Sequence, residues 1–440
     1  MTSTVVGGVG LFLLGMILMT DGLKALAGDA LRSLLSRFTG GPLSALLSGT
    51  AVTAVVQSSS ATTLMTIGFV SAGLMTFGQA VGVVFGANLG TTSTGWLVSM
   101  LGLKLSVGKI ALPLIGVGAL SKLLGRGKVA HAGMALCGFG VIFVGIDVLQ
   151  AGMAALSSKF DPSSFPDNTL TGRILLVLIG IAMTVVMQSS SAAVATTLAA
   201  LHSGTIDLDQ AAAMVIGQNV GTTVTAALAG IGASVAAKRT ALAHILFNTI
   251  TGALAFAVLP LFTRAVDGLA DRFGGGDDAV SIAAFHTAFN LLGVAVFLPV
   301  MGRFARLIER MIPEKAARLA RHLDSSMVDL PGIAVEASRR ALMEISSELV
   351  RDAGCLMADR RHEPALEECE DALLRTRQFM AKVGRLEASG KEYRLHVSNL
   401  HATDHADRLL AALREATPRR ADSRDPRLLP FRELAVRAAA

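Results

Sequence analysis

The first 300 residues contain no glutamate. Charged residues make up 16% of the chain, against roughly 25% in a soluble protein. The deficit is local. Residues 1–300 carry 14 Lys/Arg and 11 Asp/Glu, whereas residues 301–440 carry 25 and 22. That imbalance excludes an ordinary soluble enzyme and divides the chain into an apolar membrane part and a charged, water-facing tail. Cysteine is scarce as well. Cys137, Cys355 and Cys369 are too few and too scattered for a disulfide framework or a zinc site. No basic block has interleaved aromatics, which leaves nucleic acid without a footprint. With one Trp and one Tyr, no aromatic belt can be read. The apolar stretch Val5–Thr20 lacks a basic leader, so it reads as a first membrane helix rather than a cleavable signal.

What is present is a series of apolar runs. A membrane helix needs about 20 apolar residues. The runs at 5–22, 79–99, 107–123, 129–153, 210–230, 239–262 and 280–300 are the expected crossings. Two further apolar regions, 42–72 and 172–203, are each cut by Gln-Ser-Ser-Ser. The arms of the first, 42–56 and 61–72, would be roughly 22 Å and 18 Å long as helices. Each passes the midplane without crossing, so both regions read as re-entrant helical hairpins with the polar motif at the tip.

The chain also repeats itself. A shift of 131 positions lays Gln57-Ser58-Ser59-Ser60-Ala61 on Gln188-Ser189-Ser190-Ser191-Ala192. Without a gap, Asn88, Gly90, Thr91, Thr92 and Thr94 then fall on Asn219, Gly221, Thr222, Thr223 and Thr225. Upstream, Gly49 and Thr53 match Gly180 and Thr184. Shared apolar composition aligns Leu with Leu; it does not align Gln, Asn and runs of Ser and Thr. Three crossings separate the two hairpins. Three is odd, so the repeats are expected to be inverted. The Lys/Arg bias of the connecting segments, with Lys122, Arg126, Lys128, Arg303, Arg306 and Arg310 on one side, puts the tail in the cytoplasm.

Two hairpin tips meeting at the midplane describe a transport site. Helix arms starting just after each tip aim free N–H groups at it, near Ser59-Ser60 and Ser190-Ser191. With the serine hydroxyls these form an anion site without a fixed positive charge. The second motif, Gly86-Ala87-Asn88-Leu89-Gly90-Thr91-Thr92, is expected to unwind its helix and bare carbonyl oxygens that suit sodium. The same holds for Gly217-Gln218-Asn219-Val220-Gly221-Thr222-Thr223. No Lys or Arg lies near either tip. An anion at that depth needs a co-bound cation, which is a physical reason for coupling. Neither serine cluster has a base to activate it, so an intramembrane hydrolase is a remote reading.

These residues resemble a known family. Gln-Ser-Ser-Ser followed about thirty residues later by Gly-Ala-Asn-x-Gly-Thr-Thr, with both motifs duplicated, looks like the type II sodium/phosphate cotransporters over residues 5–300. The resemblance implies that phosphate is bound by Gln57, Ser58, Ser59, Ser60, Gln188, Ser189, Ser190, Ser191, Asn88 and Asn219. It implies sodium ligands at Gln57, Ser60, Asn88, Thr91, Thr92, Gln188, Ser191, Asn219, Thr222 and Thr223. Gln218, where the first copy has Ala87, departs from the pattern. Sodium would be the coupling ion, and no other cofactor is called for. Another oxyanion, phosphate export, and a phosphate sensor signalling through the tail are the competing readings.

The expected fold class is therefore an all-α membrane protein: an inverted-repeat transporter with two re-entrant helical hairpins and broken helices, plus a cytoplasmic helical tail. Residues 1–312 form the transporter domain in the cell membrane, with repeats at about 41–153 and 172–300. Asp147 at membrane depth is a further candidate cation ligand or packing partner. His244 with Asn248, and His286 with Asn290, share helix faces and read as packing hydrogen bonds. The tail, 313–416, has helical periodicity near 331–356, 363–389 and 391–416. Its acid pairs Glu348/Asp352 and Glu367/Asp371 resemble the metal-binding motif of PhoU-like domains. The tail also offers a face to a cytosolic partner. Residues 417–440, rich in Arg, Pro and Ala, are expected to be disordered.

Overall fold

The computed structural model describes residues 2–37, 40–71, 74–104, 108–157, 165–231, 235–272, 278–313, 319–324, 327–328, 330–357, 364–383 and 390–416. The expectation for 417–440 lies outside the described residues, as do 363 and 384–389 of the expected tail helix. The regular secondary structure of the described residues is all helical, with no strand among them. Among the described residues, six helices are long and apolar enough to cross a membrane. The chain divides into two compact units.

The larger unit covers 1–66, 77–231 and 238–311. Its helices are α1 (Thr2–Arg37), α2 (Pro42–Val56), α3 (Ser59–Ser71), α4 (Phe77–Thr91), α5 (Ser93–Trp96), α6 (Gly108–Leu124), α7 (Lys128–Ser157), α8 (Leu170–Met187) and α9 (Ser190–His202). Then come α10 (Leu208–Gly230), α11 (Val235–Ala257), α12 (Leu259–Arg272), α13 (Asp278–Phe297) and α14 (Met301–Met311). Polar caps set several starts. Thr169 accepts the Gly172 N–H at 3.2 Å. Asp207 and Gln210 form a reciprocal capping box. The expected crossing 239–262 ends early: α11 stops at Ala257, just ahead of Pro260, which cannot continue the backbone ladder. At 18 residues, α8 spans roughly 27 Å, longer than a half-crossing arm.

Glycine makes the helix contacts close. On α1, Gly8, Gly15 and Gly22 face Leu149, Ile142 and Ala135 of α7. In return Gly138, Gly145 and Gly152 of α7 face Met19, Phe12 and Val5. Both sets recur every seven residues, and the order reverses, so the pair is antiparallel. A Cβ at any of these positions would lie within 3.0 Å of its neighbour. Without water to drive association, small residues that admit the partner's backbone are what hold membrane helices together.

The same logic corrects the expectation for the Gly-x-Asn-x-Gly motifs. Those glycines do not unwind their helices. α10 runs unbroken through Gly217 and Gly221, and α4 runs through Gly86 and Gly90. A Cβ on Gly86 would stand 2.0 Å from Leu46 O, and one on Gly217 2.0 Å from Val177 O. Gly49 meets Val83 O and Gly180 meets Met214 O, both at 2.2 Å. The two sets of partners are related by the same 131-residue shift. The glycines serve the α2–α4 and α8–α10 contacts by being small. A break does occur in the first copy, two residues after Gly90, at Thr92. It is followed by α5 and a π-helical stretch, Leu97–Lys104. Mid-helix π segments often mark functional positions.

The second unit covers 67–76, 232–237 and 312–440. Its helices α15 (Pro331–Met357), α16 (Leu366–Met380) and α17 (Lys391–Ala416) share a core of Leu342, Ile345, Leu349, Cys369, Leu373 and Leu410. Asn399 donates to Val335 O at 2.9 Å, and Arg414 pairs with Glu370. The end of α3 belongs to this unit. Ser71 donates to Asp324 Oδ2 at 3.1 Å, and its carbonyl lies 3.2 Å from His322 Nδ1. His322 Nε2 is 3.0 Å from Glu344 Oε1, which also pairs with Arg321. Burial works to raise the Glu344 carboxyl, and the His322 and Arg321 hydrogen bonds outweigh it, holding it below its ordinary range.

Three of the four acids in the tail's pairs are engaged locally. Glu348 pairs with Arg351, Asp352 accepts the Ala365 N–H that opens α16, and Asp371 pairs with Arg375. No group of three or more metal-ligating side chains occurs among the described residues.

Two outcomes are expected. Gly86→Ala forces a backbone clash of a kind that costs about 1–3 kcal/mol. It should lower the melting temperature of the detergent-solubilised protein by about 1–5 °C. Gly10→Ala, with nothing within 4 Å of its Cβ, should leave it unchanged. Burial, helped by the Asp352 and Glu368 carboxylates, pushes the Cys369 thiol up to about 11. The thiol form is thus the one the fold accommodates. Stability from this group is full below about 9 and is lost as pH climbs towards 11. At pH 7.5 a maleimide should label the half-buried Cys355 and spare Cys369 until the tail unfolds, as read by mass spectrometry.

Candidate functional site

Each Gln-Ser-Ser-Ser motif forms a two-residue turn between helices. Gln57 joins α2 to α3 with φ 56°, and Gln188 joins α8 to α9 with φ 51°. They are the only non-glycine residues at positive φ among the described residues. Such backbone costs energy and persists where the surroundings enforce it. Each amide folds back to hold it: Gln57 Nε2 donates to Ala54 O at 2.5 Å, and Gln188 Nε2 to Val185 O at 2.6 Å. Ser58 and Ser189 then cap the following helices, accepting from Ala61 N and Ala192 N at 3.2 Å each. The N–H groups of Ser59, Ser60, Ser190 and Ser191 open those helices and have no intrahelical carbonyl to reach. Among the described residues the Ser59, Ser60 and Ser190 hydroxyls make no hydrogen bond.

The two turns meet through a residue that the repeat alignment pairs but that lies outside the expected site. Thr94 donates to Gln57 Oε1 at 2.9 Å. Its oxygen also lies 3.2 Å from Ser191 Oγ. Thr94 has one proton and Gln57 Oε1 can only accept, so Ser191 donates to Thr94. Gln57 Nε2 reaches Ser93 Oγ at 2.8 Å as well. A side chain from each motif copy therefore converges on the break after Thr92. A small cavity opens beside Gln57 and Thr94, walled by Phe12, Met16, Phe139 and Phe143. The sequence does carry a signal for Thr94: it falls on Thr225 under the 131-residue shift.

The halves are not equivalent. Gln57 is buried and Gln188 exposed. Thr225 turns back to Thr222 O at 2.7 Å instead of reaching Gln188. Asn88 Nδ2 donates to Val84 O at 2.9 Å, and Asn219 Nδ2 to Asn248 Oδ1 at 2.6 Å. Thr91, Thr92, Thr222 and Thr223 each spend their hydroxyl proton on a carbonyl three or four residues back, leaving oxygen lone pairs as acceptors. Gln218 ties α10 to α9, because its amide donates to Ala193 O at 3.1 Å and to Thr197 Oγ1 at 2.6 Å. His244 and Asn248 do more than pack α11, since they contact Asn88 and Asn219. His286 and Asn290 bond each other within α13. Asp147 lies exposed on α7, away from these contacts.

The pattern of a Na+/Pi-cotransporter matches residues 11–151 and 164–269, which include both turns and both asparagine motifs. The chain belongs to the Na+/Pi-cotransporter family. It is 34% identical to the uncharacterized protein YqeW of Bacillus subtilis (strain 168), over 69% of this chain and 96% of that one. It is 29% identical to YjbB of Escherichia coli (strain K12), a protein provisionally named for inorganic phosphate export, over 78% of this chain. The match covers only 62% of YjbB. Over 34% of this chain and 25% of the other, it is 32% identical to sodium-dependent phosphate transport protein 2C of Mus musculus. No solved structure gives a significant match. Membership in this phosphate-transport family, with six apolar helices, makes the chain a multi-pass membrane protein, and its named relatives are transporters rather than enzymes.

Thr94→Val removes two hydrogen bonds worth about 1 kcal/mol each. It should slow phosphate flux in proteoliposomes roughly tenfold to thirtyfold. Thr225→Val, which loses one bond inside its own helix, should stay within about threefold.

Proposed function

We propose that this protein is a sodium-coupled symporter of inorganic phosphate that works by alternating access between inverted repeats. The observation that carries the reading is the Gln57–Thr94–Ser191 junction, where both copies of the motif contribute oxygens to one point. Phosphate would lie on the opening N–H groups of α3 and α9, with the Ser59, Ser60 and Ser190 hydroxyls. No Lys or Arg supplies a countercharge, so sodium does. Its ligands would be the Gln57, Thr94 and Ser191 oxygens and the Asn88, Thr222 and Asn219 region. The charge argument runs in both directions: neither ion is stable at that depth alone.

The unlike packing of Gln57 and Gln188 supports alternating access. Two copies of one motif hold two arrangements in one chain, which is what a half-switched inverted repeat requires. Both turn regions would be re-entrant, and the charged three-helix tail, a PhoU-like bundle, would lie in the cytoplasm and offer its face to a cytosolic partner. Net export is the second reading, favoured by the name of the YjbB relatives.

Labelled phosphate taken up by proteoliposomes under inward, outward and absent sodium gradients tests both. Uptake driven by an inward gradient, with Ser59→Ala and Ser190→Ala reduced at least about tenfold, supports symport. Flux indifferent to sodium, with both variants like wild type, overturns it.

A further inference from the structure

Helical spacing alone gives His244 a packing role. Its surroundings assign it a different one. Its Nε2 lies 3.2 Å from Asn88 Oδ1 and 3.5 Å from Thr222 Oγ1, one residue from each repeat. Both of those oxygens face it as acceptors. The Asn88 amide nitrogen is already donating to Val84 O. The Thr222 hydroxyl proton is already donated to Asn219 O at 2.6 Å. Nε2 must therefore carry the proton, and a single N–H is shared between the two oxygens. Nδ1 is buried and meets no partner among the described residues, as suits a ring whose proton sits on Nε2. The same helix closes the set from the other side. Asn248, one turn on from His244, accepts from Asn219 and donates to His244 O at 3.1 Å. His244 and Asn248 are both buried.

We propose that His244 is a positioning residue whose Nε2–H stands in for the coupling cation when the site is empty. This rests on the sodium reading above, which makes Asn88 and Thr222 cation ligands. Two acceptor oxygens that converge on one point in an apolar bundle need a positive partner at every stage of the cycle. Sodium supplies it in the loaded protein. In the empty protein the imidazole N–H supplies it, and keeps the Asn88 and Thr222 ends of the two repeats together. Sodium entry displaces the N–H, so the two compete for the same oxygens.

A cycle of net uptake includes the return of the empty carrier, whereas phosphate–phosphate exchange at saturating sodium does not. Loss of the donor therefore strikes the first and spares the second. A merely structural residue would strike both. His244→Leu removes the donor. His244→Gln carries an amide N–H2 that reaches the Nε2 position, and His244→Asn one that reaches only the Nδ1 position. The Gln/Asn pair carries the test if the Leu variant is not monodisperse.

The experiment measures net uptake and exchange side by side in proteoliposomes, with the half-saturating sodium concentration for exchange. Expected for His244→Leu and His244→Asn are net uptake at least about tenfold down, exchange within about threefold of wild type, and half-saturating sodium lowered about threefold or more. His244→Gln should restore net uptake. Parallel loss of uptake and exchange overturns the proposal, as does a His244→Leu variant identical to wild type or a His244→Gln variant no better than His244→Asn. Failure of the sodium reading is seen separately, in wild-type protein whose uptake and exchange both ignore sodium.

Discussion

A hydroxyl or amide inside an apolar slab has no water to turn to, so it must find its partner within the protein. The organisation of the larger unit follows from that requirement. Thr94 satisfies Gln57 and receives Ser191; His244 satisfies Asn88 and borders Thr222; Asn248 satisfies Asn219. Each link joins two different segments of the bundle, and two of them, Thr94–Ser191 and His244–Asn88, join one repeat to the other. The polar groups that would handle the ions are thus also the ones that knit the halves together. In the proposed function, a bundle assembled this way would couple occupancy of its site to the packing of its helices.

The serines show the division of labour at atomic scale. Ser58 and Ser189 are consumed as caps, which fixes the two helix starts. Ser59, Ser60 and Ser190 keep their hydroxyls uncommitted beside backbone N–H groups. One four-residue motif supplies both the helix caps and the hydroxyls that the proposed function assigns to phosphate. The left-handed Gln57 and Gln188 residues make this possible by letting a two-residue turn separate the helices.

Much of this was legible in the sequence because it depends on identity and spacing. The 131-residue shift exposed the duplication, and the loss of charge exposed the membrane part. The glycine motifs were located correctly but explained wrongly. Glycine is both flexible and small, and only the neighbouring Leu46 and Val177 carbonyls show that smallness matters here. Gln218 and His244 were ambiguous for a related reason. Helical periodicity says which side chains share a face, but not which helix lies opposite. Thr94 needed a third kind of information, the break after Thr92, because an uninterrupted helix would present a different face. In the tail, acids at helical spacing resemble a metal-binding motif, while nearby arginines and a helix start engage three of the four.

The seam between α1 and α7 works like a notched ruler. Glycines sit every seventh residue on both helices, each opposite backbone of the other. Sliding one helix by a single residue would drive a side chain into a main chain. The next register that fits is a whole heptad away, roughly 10 Å along the axis. Small adjustments along that seam are sterically blocked, so the two helices are held in a single register.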